Sequence, residues 1–139
     1  DQPDICESLA AETEEEMKIK IPERCSRKAE WARGEILSLQ DMYFKRNIPV
    51  AQLSGSFAGA FGLPQFVPTS FMKWAEPGPG NDHLDLYETE DAIFSVANYL
   101  KQNGWSQNEE SQKAALFHYN RSQDYGNTVL ELAGLLSRK

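Results

Sequence analysis

The sequence lacks the features that mark several large classes of protein. Its 139 residues contain no apolar run near the ~20 residues that a bilayer-spanning helix needs. The nine glycines and seven prolines are too few for a collagen-like or low-complexity chain. The first residues have neither the basic nor the apolar region of a signal peptide, which agrees with a cytoplasmic protein, a processed secreted protein or a shortened chain.

Positive charge is also scarce. There are 14 Lys and Arg residues against 21 Asp and Glu residues, which gives a net charge of −7. Nucleic acids and anionic membranes attract basic surfaces, so we expect neither as a partner. At 40% hydrophobic residues, the chain is long enough for one domain with its own core, and we take residues 1–139 as that domain.

The two cysteines, Cys6 and Cys25, do not form a Cys-x-x-Cys pair, and both histidines lie far from them. A zinc site is therefore not expected. The thiols are either both reduced or joined in a disulfide, which would require an oxidising compartment.

Apolar spacing predicts a mainly α-helical fold. We expect a helix over residues 4–20 that ends before Pro22, because proline has no amide hydrogen to donate. A second helix is predicted from a Ser26 cap to about Arg46. Its predicted buried stripe is Ala29, Ala32, Ile36, Leu39 and Tyr43.

Later helices are predicted near residues 68, 89–103, 108–118 and 124–136. Thr89 is the expected cap of the second of these, and Gly104 its left-handed end. The expected inner faces are Ile93, Val96, Ala97 and Leu100 in one helix, and Tyr125, Val129, Leu132 and Leu136 in the last.

Residues 54–70 combine three glycines and two prolines with small and aromatic side chains. They predict a turn or one short β-hairpin near residues 54–66. The Gly-Lys-Ser/Thr of a phosphate loop and the Gly-x-Ser-x-Gly of a nucleophile elbow are both missing. The segment is either a structural turn or the wall of a cleft that suits a sugar.

This segment also resembles a known family. The run Gly59-Ala60-Phe61-Gly62-Leu63-Pro64-Gln65-Phe66-Val67-Pro68-Thr69-Ser70 is similar to the signature of lytic murein transglycosylases of the membrane-bound lytic transglycosylase B type. Three further blocks resemble the family in the same order. They are Arg27-Lys28-Ala29-Glu30-Trp31 with Gly34-Glu35, Asp91-Ala92-Ile93-Phe94-Ser95-Val96-Ala97-Asn98-Tyr99-Leu100 with Gly104-Trp105, and Tyr119-Asn120 with Tyr125.

The resemblance covers residues 26–139 and implies a lysozyme-like helical domain, with residues 1–25 poorly matched. It implies cleavage of the MurNAc-β-1,4-GlcNAc bond of peptidoglycan without water. One Glu would protonate the glycosidic oxygen and then act as base while a 1,6-anhydro ring closes. We expect a monomer in the periplasm or outside the cell, and therefore a Cys6–Cys25 disulfide.

The resemblance also implies site residues. The substrate-binding candidates are Ser54, Ser56, Phe57, Gln65, Phe66, Tyr119 and Asn120. Glu7, followed by Ser8, is the preferred catalytic acid; Glu12, followed by Thr13, is the second candidate. In a third alignment the acid lies before residue 1. A hydrolytic lysozyme would need a second carboxylate, which nothing singles out, whereas a non-catalytic wall-binding module would need none.

Relatives carry an EF-hand-like calcium loop where this chain has residues 77–88. Pro77 and Pro79 occupy the first and third ligand positions, and neither has a side-chain oxygen. Only Asn81, Asp85 and Glu88 stand where side-chain ligands belong. We therefore expect no metal, no other cofactor and no calcium dependence.

Overall fold

The computed structural model describes the backbone of residues 14–137 and the side chains of residues 20–137. The described part contains five α-helices and no regular strand, which confirms the mainly α-helical prediction. The helices are α1 (Glu14–Arg46), α2 (Pro68–Trp74), α3 (Thr89–Gln102), α4 (Glu109–Tyr119) and α5 (Gln123–Leu136). A 3₁₀ turn, Val50–Gln52, follows α1.

Helix α1 runs without a break through Pro22, so the prediction of two helices separated at this proline is wrong. Ser26 lies inside α1 and caps nothing. Proline removes one backbone hydrogen bond from a helix, but the residues on both sides of Pro22 keep helical geometry here. The side chains of residues 20–31 are all exposed, so this half of α1 has no buried face.

The buried face of α1 coincides with only part of the predicted stripe. Leu39 packs against the core as predicted and Ala32 is half-buried, whereas Ile36 and Tyr43 are 59% and 52% exposed. Glu35 and Met42 are the buried residues, so the predicted stripe lies along one edge of the contact face. The apolar pattern could not reveal the whole of this face because one of its buried positions is a glutamate.

The core is built mainly from aromatic side chains. Phe61, Phe66, Phe71 and Tyr99 are buried with Met42 and Leu86. Their rings meet at tilted or edge-to-face angles, for example Phe61 against Phe71 at 5.5 Å between centroids. This arrangement joins α1, α2 and α3 around the segment that precedes α2.

The inner faces of α3 and α5 agree with the prediction in part. Leu100 packs against the core, and Tyr125 and Val129 are half-buried. In α3 the buried residues are Asp91, Ala92, Ser95 and Tyr99, while Ile93 is 60% exposed. The Ser95 hydroxyl accepts from the Glu76 amide at 3.0 Å and donates to the Glu76 carbonyl at 3.1 Å. Polar contacts therefore help to set the orientation of α3. In α5, Leu132 and Leu136 are exposed, and Gly126 is the buried residue.

Helix ends follow the sequence more closely. Helix α2 begins at Pro68, and Gly104 has a φ of +89° after α3, both as predicted. Asn108 caps α4 by accepting from the Ser111 amide. The expected Thr89 cap is wrong, because Thr89 is the first helical residue of α3 and Glu88 precedes it without a side-chain cap.

No helix in the described part is both long enough and apolar enough to cross a membrane.

Candidate functional site

The segment before α2 forms two consecutive turns, which we call the signature turns (residues 54–66). Isolated antiparallel bridges join Gly55 to Phe61 and Phe61 to Phe66, in place of a regular hairpin. The Phe61 amide donates to the Phe66 carbonyl at 2.9 Å, and the Phe66 amide donates back at 3.1 Å. The loop between these two residues is thereby closed into a tight turn.

Backbone geometry explains the residue types in this turn. Gly62 has a φ of +70°, and a Cβ there would stand 2.5 Å from the Leu86 Cβ, so only glycine fits. Gln65 has a φ of +51°, which is unusual for a residue with a side chain. Its amide and its Nε2 both donate to the Gly62 carbonyl, at 3.1 and 2.9 Å.

These bonds determine what Gln65 can offer to a ligand. Its Nε2 is held by the Gly62 carbonyl, whereas its Oε1 has no partner among the described residues. The side chain as a whole is exposed. Gln65 therefore presents a fixed hydrogen-bond acceptor at the surface.

Tyr119, at the end of α4, holds the same turn from the other side. Its hydroxyl donates to the Pro64 carbonyl, and its ring contacts Phe66 and lies parallel to Tyr125. Burial, followed by the neighbouring Tyr125 and Tyr99, raises the pKa of the Tyr119 hydroxyl to about 12. The hydroxyl thus stays protonated at neutral pH and remains a donor to Pro64.

The two serines of the segment have different surroundings. The Ser56 Oγ accepts from the Ala60 amide at 3.2 Å and so stabilises the first turn. The Ser54 backbone is held by Tyr87, whose hydroxyl donates to the Ser54 carbonyl at 2.6 Å and accepts from its amide at 2.9 Å. The Ser54 Oγ has no partner in the described part of the chain and is available to a ligand.

The two phenylalanine candidates, Phe57 and Phe66, differ in exposure. Phe57 is fully exposed at the tip of the first turn, so its ring is available as a flat apolar surface. Phe66 is buried in the core against Tyr99 and Tyr119, so its expected packing on a sugar face does not fit this position.

Asn120 follows α4 directly and is exposed. The structure thus brings Gln65 and Tyr119 together through Pro64.

Glu7, Glu12 and Cys6 lie outside the described residues. Cys25 is exposed on α1 and carries a free thiol. The structure therefore does not support the expected disulfide at Cys25.

Glu35 is a buried carboxylate whose role the sequence did not reveal. Its Oε2 accepts from the Thr69 amide at 2.9 Å, and its Oε1 accepts from the Thr69 hydroxyl at 2.8 Å. Thr69 lies in the first turn of α2, where Val67 provides no side-chain cap. Glu35 thus supplies the negative charge that a helix N-terminus favours, and it joins α1 to α2.

Asp91 organises the loop of residues 77–88 from a fully buried position at the start of α3. Its carboxylate accepts from the Asp85 and Gly78 amides, both at 2.7 Å, and from the Asn81 Nδ2. These bonds, led by the one from the Asp85 amide, lower the pKa of Asp91. Asp91 thereby holds the loop against α3 through its own backbone. The expected absence of calcium dependence stays a prediction.

Comparison with known proteins gives the family. The family model described as Transglycosylase SLT domain matches residues 3–115. The chain belongs to this family. The signature turns, Glu35 and Asp91 all lie within the matched range of this transglycosylase SLT domain.

The similar proteins are named as lytic transglycosylases. It is 39% identical over 84 residues to the membrane-bound lytic murein transglycosylase B of Escherichia coli K12, covering 60% of this chain and 23% of that protein. The chain thus spans about a quarter of the length of that relative. A lytic transglycosylase of Escherichia coli, solved with bulgecin A, is 40% identical, with a TM-score of 0.55 over 59% of this chain and 26% of that one.

A further solved structure supports the fold over a longer range. The soluble lytic transglycosylase SltB1 of Pseudomonas aeruginosa is 25% identical, with a TM-score of 0.71. The match covers 81% of this chain and 58% of that one.

Proposed function

We propose that this chain carries the glycan-binding cleft of a peptidoglycan lytic transglycosylase, which cleaves the MurNAc-β-1,4-GlcNAc bond and leaves a 1,6-anhydromuramyl end. The observation that carries the proposal is the pair of signature turns, held by Tyr119 through Pro64. The family match and the names of the relatives agree with it.

The groups at the turns suit a neutral amino sugar. The Gln65 Oε1 accepts from an amide or hydroxyl, the Ser54 Oγ donates or accepts, and the Asn120 side chain can do both. The exposed ring of Phe57 offers an apolar face to a pyranose ring. These four side chains carry no charge, as expected for a site that recognises N-acetyl and hydroxyl groups.

The catalytic acid of the proposal is Glu7, with Glu12 as the second candidate. The family match begins at residue 3 and so includes both. The length of α1 sets a condition on them, because Glu14 lies 21 residues before Glu35 in one helix, about 32 Å along its axis at about 1.5 Å per residue. Seven extended residues reach at most about 25 Å, which is shorter than the distance along α1 from Glu14 to Glu35.

A second candidate function is a peptidoglycan-binding module without its own acid. One observation favours it: no Glu of the described residues hydrogen-bonds to Gln65 or Tyr119. Glu35, the buried Glu of that part, has both oxygens bonded to Thr69. In this version residues 1–139 bind glycan and do not contain the catalytic Glu.

Digestion of purified peptidoglycan tests both versions. The parent chain should release muropeptides that mass spectrometry finds one water lighter than reducing-end products. Glu7→Gln keeps the shape and removes the proton donor, so activity should fall by at least the ~10²–10⁴-fold value of general acid catalysis. Glu12→Gln tests the second candidate and should keep activity if Glu7 is the acid.

Each other outcome has a defined meaning. Full activity in Glu7→Gln with loss in Glu12→Gln would move the acid to Glu12. An inactive parent chain that still binds glycan would favour the binding module, and reducing-end products would contradict the transglycosylase proposal. The proposal further places the protein as a monomer in the periplasm or outside the cell, where peptidoglycan lies.

A further inference from the structure

The loop of residues 77–88 contacts both signature turns through its consecutive residues Leu86 and Tyr87. Leu86 is buried, and its carbonyl accepts from the Leu63 amide at 2.8 Å in the second turn. The Tyr87 hydroxyl donates to the Ser54 carbonyl at 2.6 Å and accepts from the Ser54 amide at 2.9 Å, where the first turn begins. The loop therefore holds one point in each turn, although Ser54 and Tyr87 are 33 residues apart in the chain.

The two bonds to Tyr87 fix the main chain of Ser54 on both sides of its Cα. One hydroxyl oxygen bonds both the amide and the carbonyl of this residue, so neither peptide group can rotate without breaking a bond. The side chain then keeps only rotation about χ1, which is limited to staggered positions. The direction of the unpartnered Ser54 Oγ thus depends on the Tyr87 hydroxyl.

Tyr87 is itself held from α3. Its amide donates to the Asp85 Oδ1 at 2.9 Å. The Asp85 amide in turn donates to the Oδ2 of Asp91 at 2.7 Å, and Asp91 is fully buried at the start of α3. A series of hydrogen-bonded residues therefore connects the core at Asp91 to Ser54 by way of Asp85 and Tyr87. This series fixes the position of Ser54 relative to α3.

The bonds between Tyr87 and Ser54 lie at the surface, so they affect position more than stability. The Tyr87 side chain is 41% exposed and lines a cavity of about 220 Å³ together with Leu53 and His83. A missing hydrogen bond has a large cost only when the group that loses it is buried, and the bonded groups of Ser54 are exposed. Loss of the Tyr87 hydroxyl should therefore free the Ser54 backbone and leave the folded state almost equally stable.

We propose that Tyr87 is a positioning residue of the glycan-binding cleft, which directs the Ser54 Oγ toward the sugar by holding the Ser54 backbone. The inference rests on the proposed function for the identity of the ligand. The hydroxyl hydrogen of Tyr87 and one of its acceptor positions are already used by Ser54. Tyr87 therefore acts through Ser54 and not by a contact of its own with the sugar.

Calorimetric titration of the full chain with a peptidoglycan tetrasaccharide tests the proposal. Tyr87→Phe keeps the ring and removes both bonds, so the affinity should fall by roughly threefold to tenfold, the value of one neutral hydrogen bond to the ligand. Tyr43→Phe is the matched control, because Tyr43 is an exposed tyrosine on α1 whose hydroxyl has no partner among the described residues. The control should bind like the parent chain, and both variants should unfold at nearly the parent's temperature.

A double-mutant cycle shows whether Tyr87 acts through Ser54. Ser54→Ala should lose about as much affinity as Tyr87→Phe, and the double variant should lose no more than Ser54→Ala alone. Losses that multiply in the double variant would mean that Tyr87 contacts the glycan directly. That result would overturn the positioning role.

The Ser54 amide provides a measurement that needs no glycan. In Tyr87→Phe its NMR shift should move and its hydrogen exchange should become faster, whereas Tyr43→Phe should change neither. An unchanged Ser54 amide in Tyr87→Phe would overturn the inference.

Asp85 tests the support of Tyr87 from α3. Asp85→Ala removes the acceptor of the Tyr87 amide, so it should move the Ser54 amide shift and lower the affinity for the tetrasaccharide. Asp85→Asn keeps a side-chain oxygen as acceptor and should restore both. Equal losses in these two variants would overturn the part of the inference that concerns Asp85.

Gln65→Ala separates this inference from the proposed function. Loss of affinity in Gln65→Ala with none in Tyr87→Phe would overturn the positioning role and leave the cleft. Absence of binding by the parent chain would contradict both. Unfolding of Tyr87→Phe would overturn the inference as well, because the two bonds would then be needed for the fold.

Discussion

The two halves of α1 have similar local structure but very different surroundings. Residues 20–31 are all exposed and are supported by neighbouring ion pairs such as Arg27–Glu23. The other half buries Glu35 and Met42 against the core and α2. Exposed ion pairs at this spacing contribute only about 0.3–0.5 kcal/mol each to helix stability. The first half is therefore stabilised by contacts within the helix, whereas the second half is also stabilised by packing against the core.

The largest expected loss of stability comes from a substitution in the core against which α1 packs. Phe71 is 2% exposed, and Phe71→Ala should lower the free energy of unfolding by about 3–5 kcal/mol, because it removes a buried ring and leaves a cavity. Chemical denaturation measures the change. Trp31→Ala, on the exposed half of α1, is the control and should change the free energy by less than about 0.5 kcal/mol. Similar losses in both variants would contradict the division of α1.

Asp91 should give the next largest effect. Asp91→Ala leaves the Gly78 and Asp85 amides without their acceptor, so we expect a loss of about 2–4 kcal/mol in the free energy of unfolding. Asp85→Ala tests the loop without removing this carboxylate and should cost less.

The pH dependence of Asp91 has a definite sign. Hydrogen bonds hold its pKa below the unfolded value of 3.8, so the contribution is present above that pH and is lost as the pH falls through the lowered pKa. The difference in unfolding free energy between the parent chain and Asp91→Asn should be constant near neutrality and shrink in acid. A difference that grows below pH 3.8 would contradict this account.

A smaller effect is expected at the joint between α1 and α2. Glu35→Ala removes both acceptors for Thr69 and should cost about 1–2 kcal/mol, the range for loss of a helix cap. Glu30→Ala, one and a half turns earlier on the exposed half, should be close to neutral. A neutral Glu35→Ala would show that the carboxylate does not stabilise α2.

The smallest effect on the stability of the folded core should come from Pro22→Ala. Pro22→Ala restores a helical amide, and since α1 is already helical on both sides of this residue, circular dichroism should show the same helix content as the parent chain. The unfolding midpoint of the core should stay unchanged, because no side chain of residues 20–31 is buried. A clear rise in that midpoint would show that the exposed half is coupled to the core.

The same comparison explains which features of the fold could be predicted from the sequence. The start of α2 at Pro68 and the left-handed Gly104 follow from single residues with strong backbone preferences, so they could be predicted. The inward faces could be predicted only in part, through Leu39 and Leu100. Glu35, Asp91 and Ser95 are buried through polar partners elsewhere in the chain, which an apolar pattern does not reveal. Apolar periodicity assigns such positions to the surface and selects Ile36 and Ile93 instead.

The candidate site could also be predicted from the sequence only in part. The Gly and Gln positions of the signature turns were identifiable from their pattern, and so was Tyr119 as a site residue. That the Tyr119 hydroxyl donates to Pro64, and that Phe66 belongs to the core, depends on the packing of α4 against the turns. Such contacts join segments more than 50 residues apart, and no local pattern encodes them.

The central claim is that the signature turns form a glycan-binding surface. The most direct measurement is an NMR titration of the isotope-labelled chain with a peptidoglycan tetrasaccharide. The account predicts saturable shifts of the Ser54, Phe57, Gln65 and Asn120 side chains and backbone amides, and their loss in Gln65→Ala. Saturable binding that leaves these four residues unshifted, or no binding at all, would contradict the claim.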